Sequence, residues 1–344
     1  MNREIAKKVA DAVLFEGHML YPYRPSAIKN RQRWTFGILF PSAYPEVSSG
    51  TERREMHSEF LLETEDDAKL QIKLRFLHLL ARQVGKALND STIECRFEPV
   101  PSLLIDDRLI ESWDEAIERS VVFDLSLPAS GEQFEFSFPG SGETEPLHNS
   151  AGQIVGSISR TQQEIKGSIA VVSEELRAGV IKLSIDVTNN SAVHTADPLD
   201  RNSALLRSLL SAHTIITASE ANFVSLLDPP NALQDAVATC KNVGNFPVLV
   251  GQQPERDMLL CSPIVLYDYP QIAPESSNDF FDATEMDEML TLRIMTLTDE
   301  EKSEMRFADE HARNLLERTE QNAREQLMRT HGTIRSMRPV SEKP

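Results

Sequence analysis

The chain has 344 residues, of which 53 are acidic and 35 basic, for a formal charge of −18. A surface this negative repels phosphate backbones and argues against nucleic-acid binding, while 40% hydrophobic and 26% charged residues exclude wholesale disorder. No apolar run reaches the ~18–20 residues of a membrane span, and the first twenty residues lack the apolar stretch of a signal peptide.

Three scattered cysteines, Cys95, Cys240 and Cys261, form no disulfide framework and suit a reducing compartment. A cytoplasmic location is therefore expected.

Residues 2–15 predict a helix, because Ile5, Val9, Val13 and Leu14 recur at helical spacing. The pattern stops near Gly17. Tyr21-Pro22-Tyr23-Arg24-Pro25 must then be extended, since proline disfavours the α region for the residue before it. Residues 35–40 read as a short strand. Strict alternation over residues 69–76 places Leu70, Ile72, Leu74 and Phe76 on one face and Lys69, Gln71, Lys73 and Arg75 on the other, the mark of a half-buried strand. Residues 77–88 suit either a continued strand or a short helix. Strands are predicted at 92–97, 120–127 and 133–138, followed by a Pro-, Gly- and Ser-rich linker at 139–150.

Three more strands follow near 154–159, 165–173 and 180–188. A helix over about 201–212 would bury Leu205, Leu206, Leu209 and Leu210. Strands at 214–216 and 222–227, a helix over 229–240, and strands at 246–250 and 258–267 complete this part. From residue 283 onward the chain reads as helical, with Thr298 and Glu301 forming a capping box. The expected fold class is α+β: an antiparallel β-rich, sandwich-like middle with an N-terminal helix and a helical C-terminal region. The expected domains are 1–138 (α+β), a linker at 139–150, 151–282 (β-rich), 283–332 (helical) and a frayed tail at 333–344.

The usual catalytic signatures are missing: no phosphate loop, nucleophile elbow, zincin helix, dinucleotide fingerprint or paired Cys-x-x-Cys occurs. Pro139-Gly140-Ser141-Gly142 is a turn or linker. His194, Asp197 and Asp200 read as a polar turn rather than a metal site. Cys240, Cys261 and His213 are the alternative metal ligands, set against the reading of free cysteines as small buried hydrophobes. No cofactor is expected.

Two segments suit protein contacts instead. In the first, Arg24, Lys29, Arg31 and Arg33 lie among Tyr21, Tyr23 and Trp34. Arginine and aromatic side chains are enriched at interfaces, although the same aromatics could plug the core. In the second, a proline-stiffened loop around Asp268, Tyr269 and Gln271 follows an apolar strand. It could form a recognition surface or clamp one part of the chain onto another.

Four strings resemble an uncharacterised bacterial family encoded beside uptake [NiFe]-hydrogenase genes. They are Leu14-Phe-Glu-Gly-His-Met-Leu-Tyr-Pro-Tyr-Arg24, Lys29-Asn-Arg-Gln-Arg-Trp-Thr-Phe-Gly37, Cys261-Ser-Pro-Ile-Val-Leu-Tyr-Asp-Tyr-Pro-Gln-Ile-Ala-Pro-Glu-Ser276 and Glu288-Met-Leu-Thr-Leu-Arg-Ile-Met-Thr-Leu-Thr-Asp-Glu-Glu301. The resemblance carries no catalytic residues. It implies a non-enzymatic accessory or scaffold protein for hydrogenase assembly or maturation, with a hydrogenase subunit or maturation factor as protein partner. The alternative is a metal-carrying or hydrolytic enzyme whose site is assembled from distant residues.

Overall fold

Residues Glu55–Leu88 form a single strand, β1, onto which most of the fold is built. In this computed structural model the described residues are 2–16, 34–88, 96–193, 199–272, 293–308 and 312–321. After β1 come β2 (Arg96–Val100), β3 (Ser102–Ile105), β4 (Arg108–Glu111), β5 (Trp113–Ser126), β6 (Ser130–Phe138), β7 (Ser141–His148) and β8 (Ile154–Gln162). Then follow β9 (Ile165–Arg177), β10 (Val180–Asn189), β11 (Leu210–Phe223), β12 (Phe246–Leu249) and β13 (Met258–Ser262). The helices include α1 (Asn2–Phe15), α2 (Pro45–Ser48), α3 (Arg201–Leu205), α4 (Gln234–Ala238) and α5 (Asp299–Ala308), with a further helical run at 312–321.

β1 is long enough to serve different neighbours along its length. It pairs with β10 over residues 55–63, β11 over 62–77, β5 over 69–82, β8 over 81–86 and β2 over 84–88, all antiparallel. Eleven strands join in one sheet, and its main path runs β12-β13-β11-β1-β10-β9-β6. β3 and β4 form a separate hairpin. The fold is thus mostly antiparallel sheet, curled into a half-barrel, with an N-terminal helix and C-terminal helices.

The period-two pattern of β1 decides what lies inside the curl. Leu70, Ile72, Leu74 and Phe76 are fully buried with Leu125, Ile169, Leu183, Ile185 and Phe223. Burying one such side chain contributes about 1.5–3 kcal/mol. Phe76 meets Phe138 at 5.7 Å and Phe136 at 6.1 Å between ring centroids. Gly167 is required opposite Phe136, because a Cβ there would come within 2.3 Å of the ring.

Over residues 75–79 the other face of β1 is buried as well, while Lys69 and Gln71 on it stay exposed. Leu77 and Leu79 pack with Leu14, Trp34, Phe40, Tyr44 and Leu210. α1 lays Ala6, Val9, Ala10 and Val13 on Val248, Val250, Met258 and Leu260; of its predicted stripe, Val9 and Val13 lie here, Leu14 packs with Leu77, and Ile5 is only half-buried. Arg75, read as solvent-facing, is consequently only 2% exposed. Sequence alternation marked one buried face, and α1 with residues 34–44 covers the second.

Some predicted elements change. Residues 139–150 are not a linker throughout, because β7 pairs with β8 from Ser141 to His148. β7 is exposed along almost its whole length, so its sequence carries the polar composition of a loop. The helix expected over 201–212 ends at Leu205, since Leu209 bridges Leu39 and Leu210 enters the ladder opposite Leu77. Strand pairing overrides the leucine periodicity there. Residues 77–88 are strand.

By compactness the chain divides into Met1–His18 with Gln32–Gln271, and Met19–Arg31 with Ile272–Pro344. In the second unit the capping box forms: Thr298 Oγ1 accepts from Glu301 N–H at 3.2 Å, and Glu301 Oε2 accepts from Thr298 N–H at 3.0 Å. Among the described residues, no helix is long and apolar enough to cross a membrane.

Candidate contact surface

Pro263 follows β13, and the chain bends at 263–264 and runs on without joining a strand. Burial alternates along it. Ile264 and Leu266 turn inward onto the α1 cluster, while Val265 and Tyr267 are 73% and 86% exposed.

The next two residues fix the backbone. Asp268 Oδ1 accepts from Leu249 N–H at 2.8 Å, and its Oδ2 accepts from the Ser225 hydroxyl at 2.5 Å. Tyr269 N–H donates to Leu249 C=O at 2.7 Å, and its hydroxyl donates to Glu255 C=O at 2.9 Å. Tyr269 also holds a left-handed φ of 53°, which costs a non-glycine residue roughly 1–2 kcal/mol and is offset by these bonds. Burial and the neighbouring Asp268 push its phenol pKa up.

These bonds also close one free edge of the sheet, that of β12. Leu249 presents its N–H and C=O outward, to Asp268 and Tyr269. By period two, Pro247 presents the same edge and has no N–H to offer. An unpaired β12 would invite strand addition, and here that route is shut. Beside it, Phe36, Gly37, Arg53, Asn245, Phe246 and Pro263 contribute to a cleft of about 530 Å³. Gly37, at φ 60°, is pressed so near that a Cβ would lie 2.7 Å from Pro263.

The residues named from sequence fall in different places. Tyr21, Tyr23, Arg24, Lys29, Arg31 and Arg33 lie outside the described residues, as do His194 and Asp197. Trp34 is not a surface residue: it is buried in the cluster with Leu14 and Phe40, and its carbonyl accepts from Arg201 Nη2 at 2.8 Å. Asp268 and Tyr269 are clamps, and Gln271 is exposed. Asp200 caps α3 by accepting from Ser203 N–H at 2.9 Å.

The alternative metal ligands do not converge. Cys261 lies opposite Thr214, on the inner face with Leu74, whereas His213 lies opposite Arg75 on the outer face. Adjacent residues of a strand point to opposite sides. Cys240 packs elsewhere, against the Leu61, Val180 and Leu233 cluster. Burial raises both thiol pKa values, that of Cys261 to about 11, so neither is primed as a thiolate. Among the described residues no group of three His, Cys, Asp or Glu side chains is placed to hold a metal.

Two polar clusters escaped the sequence reading because their members are remote in the chain. On the outer face, Arg75 is held by Asp11 of α1 at 2.6 Å and Glu118 of β5 at 2.9 Å. His213 beside it donates Nδ1–H to Ser211 C=O at 2.8 Å, and its Nε2 is buried without a partner among the described residues. Burial, with Arg75 nearby, lowers the His213 pKa to about 3. Burial and the Arg119 charge lower that of His78 to about 4.

In the second cluster, His57 Nδ1 lies 2.7 Å from Asp186 and its Nε2 3.4 Å from Glu59. Burial pushes the Glu59 carboxyl up, but Lys182 Nζ at 2.9 Å and the Lys241 N–H at 2.7 Å outweigh it and hold the carboxyl low. Glu59 thereby fastens the segment after α4 to β1, a structural task.

Of the segments named from sequence, the loop at 264–271 is both accessible and held in place. No protein-family model matches the chain, and no curated protein matches it either, so geometry and not kinship must carry the functional reading.

Proposed function

We propose that this chain works by holding a protein partner rather than by catalysis, and that Val265 and Tyr267 are its anchors. The supporting observation is an exposed aliphatic–aromatic pair on a backbone clamped through Asp268 and Tyr269. Large apolar side chains held in place before contact lose little entropy on binding, and tyrosine is favoured at interface hot spots. The partner class that the family resemblance implies is a [NiFe]-hydrogenase subunit or maturation factor, which makes the chain an accessory protein for assembly.

The test is co-purification from a host that makes such a hydrogenase, comparing the parent chain with Val265→Ser and Tyr267→Ser. Hydrogenase components retained by the parent and lost from the variants support the proposal. Equal recovery from all three, or none from the parent, contradicts it.

A further inference from the structure

β5 and β6 are consecutive antiparallel strands whose side chains meet at two positions. The Arg119 guanidinium lies 4.9 Å from the Phe138 ring centroid, and the Phe123 and Phe134 rings are 4.7 Å apart. The two contacts are four residues apart on each arm, as a hairpin register requires. Yet no ladder joins the arms. β5 pairs with β1 and β6 with β9, and among the described residues no other strand pairs with either.

The turn between them keeps the arms apart. Leu127 N–H donates to Ala68 C=O of β1 at 2.8 Å. Two residues on, Ala129 N–H donates to the Ser173 hydroxyl of β9 at 2.7 Å, and Ala129 C=O accepts from Ser173 N–H at 3.0 Å. Each arm is tied to a different neighbour. Two rows of backbone donors and acceptors therefore border an opening in the half-barrel, with Phe123, Phe134 and Phe138 beneath it.

Unpaired strand edges add strands readily, and the rim chemistry selects what is added. Among the described residues Asp124 accepts only from the Gln71 amide, at 2.9 Å. Glu132 and Glu135 have no basic partner among the described residues, and both are exposed. A second copy of this chain would bring the same carboxylates face to face, on top of the −18 charge of each molecule. Like charges directly opposite one another destabilise a strand pair.

We propose that the opening between β5 and β6 receives an extended, basic segment of a partner protein by strand addition. Alternate apolar side chains of that segment cover the three phenylalanines, its Lys or Arg side chains on the opposite face meet Asp124 and Glu135, and a basic residue at its end meets Glu132, which shares the face of Phe134. The opening and the 264–271 loop lie on different elements, so either surface can fail without the other.

The test uses the full chain and a synthetic peptide of alternating Val and Lys, with Val/Glu and Lys/Pro peptides as controls. Amide hydrogen exchange is followed by mass spectrometry. The expected result is slower exchange over residues 115–126 and 131–138 with the Val/Lys peptide alone. Glu132→Lys combined with Glu135→Lys, both at exposed positions, should weaken its binding at least tenfold. Protection only elsewhere, equal protection by the Lys/Pro or Val/Glu peptide, or unchanged binding to the double variant would overturn the proposal. So would slow exchange of both edges before any peptide is added, because the opening would then already be filled.

Discussion

Arg75 shows how one residue can tie three elements together. Its guanidinium is desolvated under α1 and neutralised by Asp11 and Glu118. Removing one partner of a buried ion pair costs more than the pair contributes, because a charge is left stranded. Asp11→Ala is expected to lower the unfolding free energy by about 3 kcal/mol, read from urea midpoints. Asp186→Ala, at a half-exposed carboxylate, should cost less than about 1 kcal/mol.

His213 sets the pH response at the same scale. It is held neutral with its pKa lowered to about 3, against an unfolded value near 6.5. Between those values the unfolded chain binds the extra proton, so stability is full at neutral pH and falls as pH drops through the window. The slope contributed is roughly 1.4 kcal/mol per pH unit. His213→Gln should flatten it, seen by comparing urea unfolding at neutral pH and near pH 5.

Among the elements, β12 is the one whose sequence and surroundings protect an edge together. Pro247 removes one outward N–H, and Asp268 with Tyr269 occupies the outward groups of Leu249. Pro247→Thr combined with Asp268→Ala is expected to reopen the edge and shift the protein to higher mass in light scattering. An unchanged mass would show that the edge is guarded by something else.

Legibility followed the same physics. α1, the alternation of β1 and the capping box at Thr298 could be read because each is a local pattern matched to one period. β7 could not, because a strand exposed along its length has the composition of a loop. The helix predicted over 201–212 gives way by Leu209, where pairing with Leu39 decides the conformation and no nearby residue announces it. In the contact loop the sequence exposed the stiffness and the tyrosines. It could not separate the inward Asp268 and Tyr269 from the outward Val265 and Tyr267, since that depends on Leu249 and Ser225.

For the whole molecule, a long strand buried on both faces over residues 74–79 makes a stiff platform, and the acidic surface biases what docks. Association with a basic partner should weaken as salt rises past a Debye length of about 8 Å at physiological ionic strength. Contact through Val265 and Tyr267 can be measured most directly by placing a photo-crosslinking phenylalanine analogue at position 267. The exposed Val172 position on β9 serves as control, in a host that makes the hydrogenase. The expected result is one discrete adduct with a hydrogenase component from position 267 and none from position 172. The same adducts from both positions, or none from position 267, would contradict a contact role for the loop.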